Sequence, residues 1–139
     1  ENPMENMKVH VLRLVPGDDP RVKLETFVAE NKIKAAVVIS VVGSLTKASL
    51  RFANQEKPKV LTGHFEIVSL SGTLSSTGGS HLHMSISDEE GKTVGGHLTE
   101  GSVVYTTLEA AIGELKDVEF TRETDKVTTY KELKVIQLK

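Results

Sequence analysis

Three of the chain's five histidines lie within one short stretch, GSHLHMSISDEEGKTVGGHL, which covers residues 79–98. They are His81, His83 and His97. In an extended strand, residues i and i+2 lie on the same face about 6.6 Å apart, so His81 and His83 are neighbours if this stretch is a strand. Because neutral imidazole is a common metal ligand, this pair gives the first indication of a metal site.

The loop between the two histidine-bearing segments sets the position of the third histidine. Residues 89–91 (EEG) suit a three-residue hairpin loop, a type I turn closed by a glycine in the left-handed conformation. This loop places His97 directly opposite His83, with Cβ atoms about 4.5–5.5 Å apart, and places His81 diagonally across at about 7–8 Å. A register slip of one residue would turn His97 to the other face and remove the site.

Three imidazoles on one hairpin face predict a zinc site with three nitrogen ligands and a fourth position open to water or a small-molecule ligand. The chain has no cysteine, so any metal must bind histidine, carboxylate or water. The simpler alternative is a polar surface opposite a core face of Leu82, Met84 and Ile86. The pair Gly95-Gly96 would let a ligand, a metal or a second chain approach the backbone closely, but a β-bulge explains it equally well.

Two carboxylates are candidates for a role beside the metal. Glu66 and Glu100 can each serve as a fourth ligand, as an acceptor for an imidazole N–H, or as a general base that acts on bound water. For both, a structural or surface role is the favoured alternative. Arg51 and Arg122 can bind a carboxylate or phosphate in a cleft, since a guanidinium group donates to two oxygens at once, although surface ion pairs are the more common use.

The sequence on either side predicts the elements that hold this hairpin. Residues 7–15 alternate as a strand, and residues 21–33 have helical spacing after Asp18 or Asp19 as the N-cap and Pro20 in the first turn.

Strands are expected through most of the remaining chain. Residues 35–45 have the composition of a central strand that Gly43 ends or bulges, and residues 46–53 return as a shorter strand. Residues 61–76 form a long strand whose alternation places Ile67 on one face and Leu70 on the other. Residues 101–115 are ambiguous between strand and helix, and residues 117–138 suit two short strands around a polar loop. The expected core residues are Val37, Val38, Ile39, Val41, Phe65, Ile67, Leu82, Met84 and Ile86.

Composition limits the classes of function. A length of 139 residues fits a single domain over residues 1–139, with residues 1–6 as a flexible N-terminus. The net charge of -2 and the pI near 6.2 provide no basic surface for nucleic acid, so direct nucleic-acid binding is not expected. Without a membrane span or a secretory signal, the expectation is a soluble cytoplasmic protein.

Several separated stretches resemble one family: PGDD, VVISVVGSLTKASLRF, GHFEIVSLSGTLS, GGSHLHMSISDEEGKTVGGHL and SVVYTT. The sequence resembles the plants-and-prokaryotes conserved (PPC) domain, or domain of unknown function 296, over nearly the whole chain. The resemblance implies an α/β fold of the α+β type, with a mostly antiparallel curved sheet and one principal helix, that assembles as a homotrimer. It also implies a strand over residues 101–115.

The resemblance also bears on function. In prokaryotic relatives the HLH and GGHL histidines are associated with a bound metal, usually assigned as zinc, and the matching residues here are His81, His83 and His97. In plant relatives the domain follows AT-hook segments that bind DNA, and a GRFEI-like segment contributes to assembly with other proteins. No AT-hook occurs in this sequence. The matching assembly segment is Gly63, His64, Phe65, Glu66 and Ile67, with histidine in place of arginine.

Three hypotheses follow. The first is a homotrimeric metal-binding domain with zinc on the three histidines. The second is a zinc-dependent hydrolase or hydratase that uses the open fourth position of the same site. The third is a regulatory or DNA-associated scaffold that acts through partners.

Overall fold

The structure is a computed structural model that describes residues 6–138, in which eight strands and one helix occur. The predicted flexible N-terminus, residues 1–6, lies outside the described residues except for Asn6, whose carbonyl accepts a hydrogen bond from Lys116 N–H. In chain order the elements are β1 (Met7–Leu14), α1 (Pro20–Glu30), β2 (Ala36–Arg51), β3 (Lys59–Ser75), β4 (Gly79–Ser87), β5 (Thr93–Leu98), β6 (Val103–Leu115), β7 (Val118–Thr124) and β8 (Lys131–Gln137).

Six of the strands form one antiparallel sheet in the order β1-β6-β2-β3-β4-β5. The end of β2 also pairs with β5, so the four strands β2, β3, β4 and β5 close into a ring. Strands β7 and β8 form a separate hairpin. The expected α+β fold, with a mostly antiparallel curved sheet and one helix, is confirmed. Val103–Leu115 is a strand, as the family resemblance implied.

The helix α1 begins where the sequence predicts. The Asp19 carboxylate accepts hydrogen bonds from the N–H groups of Arg21 at 3.0 Å and Val22 at 3.2 Å, which satisfies donors that the first turn leaves without helical partners. Leu24 and Val28 are buried on the helix face that packs into the core.

Of the two alternatives predicted for Gly43, the bulge is correct and the strand does not end there. Ala36–Arg51 is a single strand of 16 residues, and the pairing of β2 with β6 shifts register between Gly43 and Leu45. A Cβ at Gly43 would lie 2.4 Å from the carbonyl oxygen of Thr107. Glycine therefore lets the two backbones approach at a bulge while the strand continues.

The predicted core is only partly correct. Val41, Ile67, Leu82, Met84 and Ile86 are buried, and Val37, Val38 and Phe65 are half-buried, but Ile39 is 49% exposed.

The alternation predicted along β3 was also wrong at one point. It placed Ile67 and Leu70 on opposite faces, yet both are buried, because the pairing with β4 shifts register between Ile67 and Ser69. A one-residue bulge brings the later side chain back to the core face.

Candidate metal centre

The hairpin of β4 and β5 has the predicted register. His83 pairs with His97, and Ser87 pairs with Thr93 next to the turn. Gly91 adopts a φ of 81°, and its N–H donates to the Asp88 carbonyl at 2.9 Å. The Asp88 carboxylate accepts further hydrogen bonds from two backbone N–H groups of the loop, so local turn chemistry sets the register.

This register brings the three histidine rings together on one strand face. The ring centroids are 5.0 Å apart for His81 and His83, 5.3 Å for His81 and His97, and 5.7 Å for His83 and His97. One nitrogen from each ring lies within 4.8 Å of the others. In a tetrahedral zinc site the nitrogens are about 3.4 Å apart, so modest side-chain rotations would give the spacing that zinc needs.

Strand β5 lies between β4 and the end of β2, and this position fixes His97. Arg51 is the β2 residue that pairs with His97. A Cβ at Gly96 would lie 2.7 Å from the Arg51 carbonyl oxygen, so glycine is needed for β2 to approach this closely. At Gly96, therefore, it is the chain's own strand β2 that approaches the backbone closely.

Burial and positive neighbours favour the uncharged form of two of the histidines. Burial lowers the pKa of His97 to about 4, and the Arg51 guanidinium contributes in the same direction. Burial also lowers the pKa of His81, followed by the charges of His83 and Arg122, against an opposing effect of Glu132. Uncharged imidazole is the form that can ligate a metal, and the lowered pKa values favour that form in both rings near neutral pH.

Comparison with known proteins gives the family. The family model of the Plants and Prokaryotes Conserved (PCC) domain matches residues 1–137. The chain belongs to this family.

This PCC domain is similar to proteins of several bacteria and an archaeon. The bifunctional protein GlmU of Synechococcus sp. (strain JA-3-3Ab) is 40% identical over 133 residues, which are 96% of this chain and 21% of that protein, so the chain spans about a fifth of this relative. A hypothetical protein from Salmonella cholerae-suis is 42% identical, with a TM-score of 0.94 and coverage of 98% of this chain and 97% of that one. A metal-containing protein from Archaeoglobus fulgidus is 29% identical, with a TM-score of 0.79 and coverage of 94% and 95%.

Two clefts border the histidines of the PCC domain. His83 and His97 line a cleft of about 450 Å³, together with Arg51 and Phe52. His81 and His97 line a second cleft of about 300 Å³ on the side of α1 and the β7–β8 hairpin. Its other lining side chains include Arg21, Glu25, Ser80, Arg122, Lys131 and Glu132.

Sequence reasoning missed Arg21, Glu25 and Glu132 as neighbours of the cluster. Arg21 and Glu25 come from α1, and Glu132 comes from β8, which are far from the hairpin in sequence. Helical spacing pairs Arg21 with Glu25 at 3.4 Å, but only the packing of α1 brings this pair to the histidines.

The other two histidines lie away from the cluster. His10 contacts the Glu114 carboxylate at 3.0 Å and packs against the Phe27 ring in a T-shaped arrangement. His64 packs against Tyr105, with ring centroids 4.8 Å apart, and it is not part of the group of His81, His83 and His97.

The structure does not bring the two candidate carboxylates into the histidine group, which within residues 6–138 contains imidazoles alone. Glu66 pairs with Ser87, four residues from His83 and about 13 Å along the strand. Glu100 is exposed in the turn after β5.

The assembly role proposed for the segment around Glu66 stays a prediction. In that segment Gly63, His64 and Glu66 are exposed, Phe65 is half-buried and Ile67 is buried.

No helix within residues 6–138 has the length and apolar character that a membrane span requires.

Proposed function

We propose that this protein is a metal-binding PCC domain that holds one Zn²⁺ per chain on His81, His83 and His97. The observation that carries the proposal is the convergence of three imidazole nitrogens within 4.8 Å on one hairpin face. The metal-containing relative from Archaeoglobus fulgidus, which covers almost the whole domain, supports the same interpretation.

The donor set favours zinc over calcium or magnesium. Hard cations prefer several oxygen ligands, whereas the group within residues 6–138 has three imidazoles and no carboxylate. With three protein ligands, zinc keeps one position for water or another ligand, and it lowers the pKa of a bound water to about 7.

Metal content is the direct test. Elemental analysis of purified, tag-free protein should find about one zinc per chain after dialysis against zinc and removal of the excess. His83→Ala should lose this zinc, because two imidazoles bind much more weakly than three. His64→Ala is the matched control and should retain it, because His64 contacts Tyr105 outside the cluster. Zinc-free wild type, or full zinc content in His83→Ala, would refute the site.

We also propose that the domain assembles as a homotrimer through its exposed apolar strand residues. Large exposed apolar surfaces on a soluble domain commonly mark an interface. The residues on β1, β2 and β3 that support this proposal are Val9, Val11, Ile39, Val42, Val60 and Val68.

The assembly proposal is tested by light scattering. The wild type should have the mass of three chains, and Val42→Lys should dissociate, because a charge would be buried in the interface. Val127→Lys is the matched control, since Val127 is 91% exposed in the β7–β8 loop. A monomeric wild type, or an intact Val42→Lys trimer, would contradict the proposal.

Metal and ligand binding is better supported than hydrolysis. A zinc hydrolase needs a general base within reach of the bound water or substrate. Of the two carboxylates predicted for that role, Glu66 pairs with Ser87, which is about 13 Å along β4 from His83, and Glu100 is exposed in the turn after β5.

A further inference from the structure

The cleft of about 450 Å³ beside the histidines has one charged wall and one apolar wall. Arg51, His83 and His97 present nitrogen groups, and Phe52 and Ala53 contribute apolar surface. Its volume lies in the range of sites for small molecules, about 300–1,000 Å³. A ligand in this cleft would touch the histidine group at one end.

Arg51 is held beside the histidines and is not neutralised by a carboxylate. It pairs with His97 through the β2–β5 backbone ladder, and its guanidinium donates to the Gln55 carbonyl at 3.2 Å. Arg21, by contrast, contacts the Glu25 carboxylate. Among the ion pairs of residues 6–138, none involves Arg51.

A second half-buried arginine, Arg122, lies on the other side of the histidine cluster and likewise has no carboxylate partner among the ion pairs of residues 6–138. Arg122 donates to the Thr73 hydroxyl at 3.1 Å, and Thr73 is the residue that pairs with His81. Two guanidinium groups with neutral partners therefore flank the three histidines.

The charge balance calls for an anion. An imidazole that ligates a metal is neutral, so three histidines leave the +2 charge of zinc uncompensated. The carboxylates of Glu25 and Glu132 line the second cleft together with Arg122, whereas the residues of 6–138 that line the cleft of about 450 Å³ include Arg51 and no carboxylate. Half-buried positive charge is costly unless it is paired. Guanidinium groups bind carboxylate and phosphate oxygens with two parallel hydrogen bonds.

We propose that this cleft binds a small organic anion, with a carboxylate or phosphate group between Arg51 and the metal centre and an apolar portion against Phe52. The inference rests on the proposed zinc site and adds the class of ligand that the site takes. A carboxylate ligand and a phosphate ligand share the same chemistry, an oxyanion attached to an apolar group.

The test is calorimetric titration of zinc-loaded protein with benzoate, phenyl phosphate and benzamide. Benzamide has the ring without the charge and controls for apolar binding alone. We expect at least one of the two anions to bind and benzamide to bind at least 10-fold more weakly. Binding of benzoate alone identifies a carboxylate ligand, and binding of phenyl phosphate alone identifies a phosphate ligand. Equal binding of benzamide would overturn the proposal.

Arg51→Gln tests the residue assignment. It should retain zinc and lose roughly 10-fold or more in affinity for the anion, because it removes the charge and keeps a polar side chain. Arg13→Gln is the matched control, since Arg13 donates to Thr107 and to the Thr106 carbonyl on β6 and does not line the cleft. Unchanged anion affinity in Arg51→Gln overturns the proposal.

Zinc content is measured on each sample before titration, which separates failure of the proposed metal site from failure of the proposed anion site. Absence of zinc from the wild type refutes the metal site. Zinc-loaded wild type that binds neither anion refutes the present inference alone.

Discussion

His83 and His97 lie directly opposite each other across the β4–β5 hairpin, with ring centroids 5.7 Å apart. Because successive side chains point to opposite faces of a strand, a register slip of one residue would move one ring to the core side. The geometry of the candidate site therefore depends on the turn that sets the register.

The first prediction concerns Gly91 in that turn. Gly91→Ala should lower the free energy of unfolding by about 1 kcal/mol, because a residue with a Cβ is strained at positive φ. A Cβ at this position would have no atom within 4 Å, so backbone strain is the whole expected effect. Urea unfolding measures the change. Glu90→Ala, one residue earlier and exposed, is the control, and equal stability of the two variants would contradict the explanation.

The hairpin and the histidine cluster could be predicted from sequence because their determinants are local. Period-two alternation placed Leu82 and Met84 in the core and His81 and His83 on the other face. The glycine in the loop then gave the register.

Features that depend on distant segments could not be predicted in this way. The pairing of Arg51 with His97 requires closure of β2 onto β5, and the positions of Arg21 and Arg122 depend on the packing of α1 and β7. Alternation along a strand also fails at bulges, which explains the error at Leu70. Composition alone does not show that Ile39 lies on an exposed face.

The second prediction tests the closure of β2 onto β5. Gly96→Ala should destabilise the fold by about 1–3 kcal/mol and weaken zinc binding, because the new Cβ would lie 2.7 Å from a backbone oxygen of Arg51 and force the strands apart. Thr93→Ala, at an exposed position of the same strand, is the control. Competition with a chelator measures zinc affinity. Retention of wild-type zinc affinity would show that the β2 contact does not position His97.

The third prediction concerns the stability of the metal-free protein as a function of pH. Burial, followed by Arg51, His81, Arg21 and His83, lowers the pKa of His97 from 6.5 to about 4. Between these values the unfolded chain binds a proton that the folded chain does not, so stability should fall as pH decreases from about 6.5 to 4.

His97→Gln removes this contribution and should show a shallower loss of stability over the same pH interval. His64→Gln is the control, because it removes an imidazole outside the cluster and leaves the contribution of His97 in place. Urea unfolding at several pH values in the presence of a chelator measures the effect. Parallel pH profiles for wild type and His97→Gln would show that His97 is not the group responsible.

The last prediction separates the two faces of β4. Leu82 is 1% exposed, and its replacement by alanine should cost about 2–5 kcal/mol through lost apolar burial and a cavity. The exposed neighbour His83 should contribute little to the stability of the metal-free protein. Zinc binds the folded state, so it should raise the melting temperature of the wild type by mass action.

Thermal unfolding with and without zinc tests both faces of the strand together. Leu82→Ala should melt at a lower temperature than the wild type and still be stabilised by zinc, because its three histidines are intact. His83→Ala should melt near the metal-free wild type and show no stabilisation. If zinc stabilises His83→Ala as much as the wild type, it binds elsewhere. A large loss of metal-free stability in His83→Ala would instead mean that this imidazole has a structural role on its own.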